Sequence, residues 1–250
     1  MTLPFQIVEE LPGILIVDKP AGMLTHPSKP DHTRTLRDLL CDLLGYERAT
    51  GGQVSIITRL DRETSGLVLV AKTREAARAC GLAMMRGSIH KEYRALIHGW
   101  PAWDRSTIDA PILRRGEVGP SPVHLERVVH PDGAAARTHV RVEQRFERIT
   151  PGGTRFSLVL AEPVTGRTHQ IRVHLASAGH PVVGDKLYGP GGSTRYLEFI
   201  ETGWTDQLAR GLLLRRHALH AAGLAMEWEG EARRWESPLP DELTVWLSPQ

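Results

Sequence analysis

Apolar residues recur along the chain with two different periods. Residues 14–18 (ILIVD) are a short apolar run closing on the polar turn KPAG, and they predict a strand. Residues 67–71 (LVLVA) predict a second, buried strand. Between them Leu36, Leu39, Leu40, Leu43 and Leu44 follow the spacing of one helix face, with Gly45 where a C-terminal cap belongs. Residues 74–86 are rich in Ala, Arg and Met behind Thr73, a plausible N-cap, and predict a helix. Strand character returns over 91–98, 138–148 and 155–162, and helical character over 169–178. Residues 222–228 and 231–236 predict a closing hairpin. Residues 114–136 and the stretch GPGGST at 189–194 read as irregular. Strands alternate with helices, and no repeat or long linker divides the chain, so one α/β domain over residues 1–250 is expected.

Composition narrows the class. The chain has 250 residues, 41% of them hydrophobic, which excludes a disordered or collagen-like protein. Its two cysteines, Cys41 and Cys80, exclude a disulfide scaffold. No segment approaches the roughly 18 apolar residues of a membrane span, and the N-terminus lacks the basic and apolar regions of a signal peptide. A cytoplasmic protein is expected. The net charge is only +2, but 26 of the 31 basic residues are arginine. Arginine suits bidentate contact with phosphate and stacking on bases. A GC-rich genome yields the same bias.

Several chemistries fail at once. There is no Walker loop, G-x-G-x-x-G, H-E-x-x-H or G-x-S-x-G. His169 and His174 are five apart, on different helix faces, and His217 and His220 lack a third ligand nearby, so no metal is expected. Two segments remain. In Thr58-Arg59-Leu60-Asp61-Arg62-Glu63-Thr64-Ser65-Gly66 an aspartate is flanked by arginines and followed by turn residues and a buried strand. Positive neighbours favour its carboxylate form, which suits a nucleophile or base. A salt-bridged turn aspartate would carry the same signature. In Thr165-Gly166-Arg167-Thr168-His169-Gln170-Ile171-Arg172 a Gly-Arg turn enters a helix, an arrangement that favours an anion, whether phosphate or Asp61 itself. An ordinary basic helix reads alike.

Taken in order, ILIVDKPAGMLTHPS, TRLDRETSGLVLVAKT, KEYRALIHG, AEPVTGRTHQIRVHLASAGHPVVGDKLYG and RHALHA resemble the RluA-type family of pseudouridine synthases, from about residue 10 to residue 240. The resemblance implies an isomerase that converts chosen uridines of ribosomal or transfer RNA to pseudouridine without cofactor or metal. It implies a mixed, largely antiparallel sheet with flanking helices and a central cleft. Asp61 matches the essential aspartate of the family. Tyr93, in K-x-Y, matches the tyrosine that stacks on the target base and takes part in removing the C5 proton. Arg167, in G-R-T-H-Q, matches the arginine that pairs with the aspartate. Ile171 matches an apolar position beneath the base, and Arg59 the arginine that fills the gap left by the flipped uridine. Lys91 and Arg172 are expected among the RNA contacts. Position 58 is Thr where the family usually has His, which touches the local RNA contact more than the chemistry. Fewer than 14 residues precede the first predicted strand, so no N-terminal RNA-binding module is expected, as in the shorter members.

The expected partner is a structured RNA stem-loop, with no DNA and no membrane, bound by a monomer. Its target uridine must flip out at a cost of a few kcal/mol, and phosphate contacts make affinity salt-dependent. Three other readings stay open: a catalytically idle RNA-binding protein of the same fold, a nucleoside hydrolase, whose usual cluster of metal-binding aspartates is absent, and a salt-bridged protein with no ligand.

Overall fold

The computed structural model describes residues 3–27 and 33–248; Ser28, the last residue of the first motif block, lies outside them. In chain order the elements are β1 (Gln6–Leu11), β2 (Ile14–Lys19), α1 (Leu36–Leu43), α2 (Gly45–Ala49), β3 (Ser55–Ile56), β4 (Ser65–Ala71), α3 (Arg74–Met85) and β5 (His90–His98). Then come β6 (Arg105–Asp109), β7 (Ile112–Arg114), a 3-10 turn at Arg115–Glu117, β8 (Arg127–Val129), β9 (Arg137–Thr150), β10 (Gly153–Pro163) and α4 (Gln170–Ser177). The chain closes with α5 (Gly192–Thr202), α6 (Asp206–Leu212), β11 (Leu219–Trp228), β12 (Glu231–Glu236) and α7 (Asp241–Leu247). None of the described helices is long and apolar enough to cross a membrane.

The chain forms two compact units, one of residues 1–91 with 221–238, the other of residues 92–220 with 239–250. In the first, β1, β2, β4 and β11 lie side by side, with β3 on β4 and β12 on β11. Every residue of β4 is buried, and Ile14↔Ala71 through Lys19↔Gly66 set its antiparallel register with β2. The core packs Ile14, Ile16, Leu67, Leu69, Leu224 and Trp235 against Ala76 and Cys80 of α3. In the second unit β5, β10, β9 and β6 are joined in that order, all antiparallel. Its core centres on Phe156, Ile97, Val159 and Leu175 of α4.

Local chemistry explains the helix starts. The Thr35 hydroxyl accepts the Asp38 N–H while the Asp38 carboxylate accepts the Thr35 N–H, a reciprocal cap for α1. Thr73 caps α3 as expected. Gly45 does not cap α1: the cap is Leu44, and Gly45 opens α2. The stretch 114–136 is not wholly irregular, because β8 pairs with β7. Likewise Gly192 within 189–194 already begins α5. These pieces are too short, or too rich in glycine, to imprint a period on the sequence.

Candidate active site

Asp61 sits in the loop between β3 and β4, and its backbone is bracketed on both sides. The Thr25 hydroxyl donates to the Leu60 carbonyl at 2.7 Å. On the other side the Arg62 carbonyl accepts the Gly22 N–H at 2.8 Å and the Lys19 ammonium at 3.3 Å. The same ammonium donates to the carbonyls of Pro20 and Met23 at 2.9 and 3.0 Å. Lys19 has no exposed surface. A buried ammonium is stable only with such donors satisfied, so the KPAG turn folds around it and grips the Asp61 loop. Within the loop the Thr64 N–H returns to the Asp61 carbonyl at 3.1 Å, closing a tight turn.

Two contacts fix the strand that follows. Buried Thr58 accepts the Leu69 N–H on its hydroxyl at 2.8 Å, so the residue in place of the family histidine serves the backbone here. Gly66 has φ +110°, and a Cβ there would stand 2.2 Å from the Ala221 carbonyl oxygen. Only glycine lets β4 and β11 approach this closely. Asp61 is half-buried, and Arg59 two residues earlier is exposed. His26 lies in the field of Arg59 and Arg37, and burial first, then those charges, hold its pKa below 6.5. This end of the first unit is positive around a carboxylate. Lys91, at the start of β5, is half-buried, and its pKa is lowered by burial.

The second unit carries the other candidates. Tyr93 on β5 is half-buried, paired with Ala161 of β10, and packs against the apolar cluster that contains Ile171. The structure therefore brings Tyr93 and Ile171 to one apolar cluster. Arg167 is exposed on the loop before α4, its Nε donating to the Ala135 carbonyl at 3.1 Å. Arg172, one turn into α4, is buried. Its Nε and Nη2 bind both oxygens of Asp185 at 2.6 and 2.8 Å, and its guanidinium lies 5.0 Å from the centre of the Tyr188 ring. Arg172, foremost among the neighbouring charges, holds the fully buried Asp185 carboxyl far below the usual carboxylate range against the opposing cost of burial.

Gln170 organises this corner. Its Oε1 accepts the Thr165 hydroxyl at 2.7 Å and the Arg167 N–H at 3.0 Å. Its Nε2 donates to the Arg137 carbonyl and the Thr138 hydroxyl at 2.9 and 3.0 Å. All four hydrogen-bonding positions of the amide are used. The chain continues from the Thr138 hydroxyl to His174 Nδ1 and from His174 Nε2 to the Ala110 carbonyl, both at 2.9 Å. The carbonyl can only accept, so Nε2 carries the proton and Nδ1 accepts. His169, before α4, takes a left-handed φ of 58°, and its Nδ1 lies 2.7 Å from the Tyr188 hydroxyl.

Sequence reasoning placed Asp61, Tyr93, Arg167, Ile171, Arg59, Lys91 and Arg172 but assigned nothing to Lys19, Thr25, Gln170, Asp185 or Tyr188. All but Thr25 stand in the quoted KPAG, GRTHQ and GDKLYG motifs. Their long-range partners, however, lie 13–61 residues away along the chain, and spacing does not reveal them.

The first unit thus presents a loop-borne carboxylate, and the second a network built on Gln170, Arg172 and Asp185. Residues 13–177 match the family model described as RNA pseudouridylate synthase, and the chain belongs to that family. It is 36% identical over 98% of its length to a ribosomal large subunit pseudouridine synthase D of Nitrosomonas europaea, and 36% identical over 98% to the protein of that name in Pseudomonas aeruginosa. It spans 65% and 71% of those two relatives, about two thirds of their length. Among solved structures it resembles human RNA pseudouridylate synthase domain containing 1, with a TM-score of 0.68, 26% identity, and coverage of 94% of this chain and 83% of that one. Human RNA pseudouridylate synthase domain containing 4 shares the fold, with a TM-score of 0.72 at 21% identity over 96% and 91% of the two chains.

Proposed function

We propose that the protein isomerises uridine to pseudouridine in structured RNA, with Asp61 as the essential nucleophile or base. What most supports this reading is the bracketing of Asp61: both neighbouring carbonyls are captured by the 19–25 segment, which fixes the backbone that carries a half-buried aspartate. A group held this way reacts without first being ordered. Residues 1–250 act as one catalytic domain, as a monomer in the cytoplasm. Ribosomal RNA, named in the relatives, is the first substrate to test, and transfer RNA the second.

The C1′–N1 bond breaks and uracil keeps the electron pair. The base rotates, C5 bonds to C1′, the C5 proton leaves, and N1 gains one. Glycosidases use two carboxylates because their leaving group needs protonation and water must attack. Uracil delocalises its own charge and must not be lost, so one carboxylate suffices. Asp61 either adds to C1′ or takes the 2′ proton. Tyr93 and Ile171 wall the base from water. Arg167 pairs with Asp61, keeping it ionised, while Arg59 fills the space of the flipped base. Lys91 contacts the RNA, whereas Arg172, taken up by buried Asp185, supports the start of α4 from behind rather than touching the substrate.

Tritium release from RNA labelled at uracil C5 tests this. Ribosomal RNA is expected to release tritium with the native protein and none with Asp61→Ala. Equal release from both would overturn the role of Asp61. Arg167→Met should lose nearly all turnover yet still bind RNA, and turnover within tenfold of the native protein would remove Arg167 from its role.

A further inference from the structure

The opposite end of β4 from Asp61 carries a second concave surface, lying wholly in the first unit. The seven residues of β4 place it roughly 20 Å from the Asp61 loop. A groove of about 540 Å³ runs there between α3 and the β11–β12 hairpin. Ala76 and Ala79 form its helix side, and Met226 and Trp228 its strand side. The Trp228 indole is held in place, donating to the Pro12 carbonyl at 3.1 Å. Gly13, at φ +77°, keeps the floor open, because a Cβ there would stand 3.1 Å from that of Ala76.

Charge selects among occupants. Glu227 alternates with Met226 and Trp228 along β11 and turns its carboxylate to the other face, whereas the lining of the groove includes Glu75 and Glu229 and no lysine, arginine or histidine. A second cavity of about 400 Å³ shares Gly13, Thr73 and Glu75 with it and adds Glu47. Its one cation, Lys72, is paired with Glu10. Carboxylates at the edge of the groove disfavour an anionic occupant, and a purely apolar partner would bury them unpaired. Small side chains give depth for an apolar side chain, and a fixed indole edged by carboxylates favours an ammonium or guanidinium.

We propose that this groove docks an extended cationic segment of a partner protein, one alternating basic with apolar side chains. A protein whose positive end meets RNA could in this way hold a basic RNA-associated protein at its other end without competition. The docking itself does not depend on the isomerase reading.

The test is fluorescence anisotropy with a labelled synthetic decapeptide that alternates lysine with leucine and phenylalanine, against an oligolysine of equal charge. The expected result is binding at least fivefold tighter than oligolysine. Ala79→Arg places a cation on the exposed helix side of the groove without disfavouring the helix, and should weaken binding at least tenfold with the circular dichroism spectrum unchanged. Glu75→Lys should weaken it independently. An RNA stem-loop should not displace the peptide. Equal binding of oligolysine would reduce the site to unspecific charge attraction and overturn the proposal. So would an unchanged affinity in Ala79→Arg, or displacement by RNA. Concentration-dependent self-association lost in Ala79→Arg would assign the groove to a second copy of the chain and likewise overturn it.

Discussion

The Asp61 loop and the start of α4 solve the same problem by opposite means. The loop is held through its backbone: side chains of Lys19 and Thr25 reach carbonyls on either side of Asp61. The start of α4 is held through side chains: Asp185 grips Arg172, and Gln170 ties Arg167 to β9. The first arrangement spreads its strength over several modest bonds. The second concentrates it in one buried ion pair. The two regions should therefore fail differently when a single residue is changed.

The largest effect is expected at the ion pair. Asp185→Asn keeps the shape but leaves the Arg172 charge buried without its carboxylate. Losing one partner of such a pair costs about 3–5 kcal/mol, and urea unfolding should show it. A loss below 1 kcal/mol would mean that the pair is not what holds α4. Lys19→Met comes next. It removes an ammonium shared by three carbonyls, and the expected cost is about 2–3 kcal/mol. Here the sharper readout is kinetic: kcat should fall at least tenfold with KM little changed, since the Asp61 loop loosens while RNA contacts remain. Thr25→Val removes one hydrogen bond at nearly constant volume and should cost about 1 kcal/mol. A kcat loss larger than that of Lys19→Met would shift the bracketing role to the Leu60 side. Arg167→Met and Arg172→Met, compared on one RNA, sharpen the same contrast. Arg172→Met also breaks the Asp185 pair, so its loss should appear in urea unfolding as well as in turnover, whereas Arg167→Met should leave unfolding nearly unchanged.

Much of this was legible in the sequence where the signal is local. The helix over Leu36–Leu43 and the cap at Thr73 depend on residues within a few positions of one another, although of the five leucines expected on one face Leu36, Leu40 and Leu44 are buried, Leu39 is half-buried and Leu43 is exposed. Asp61, Tyr93 and Arg167 were singled out through motifs, each a compact string, and their roles rest on the proposal. What escaped depends on distant partners or broken periods. Strand β1 was missed because it mixes Val8 with Glu9 and Glu10 and carries an irregularity between Ile7 and Glu9, so its alternation does not persist. Lys19 reads as a surface lysine until Arg62, 43 residues later, folds onto it. Asp185 stood in a quoted motif, yet only the fold shows that Arg172 needs it.

The smallest predicted effect concerns two histidines, one in each region, and separates their electrostatics. His26 and His174 both have pKa values lowered from 6.5, and burial is the largest cause for each. The secondary causes differ: Arg59 and Arg37 press on His26, whereas His174 has opposing help from the Ala110 carbonyl and Asp109. A histidine with a lowered folded pKa binds fewer protons folded than unfolded near pH 6. Its contribution to stability is complete above pH 6.5 and is lost as pH falls below that value toward the folded pKa. The melting temperature should therefore decline on acidification through this window. At His174 a second ring proton would turn Nδ1 from acceptor to donor and reverse its bond with the Thr138 hydroxyl. Salt tells the two apart. It screens exposed arginines but not desolvation, so in an NMR titration added salt should raise the His26 pKa toward 6.5 and leave that of His174 nearly in place. Equal movement of both would mean that the Asp61 end is not the more positive of the two regions.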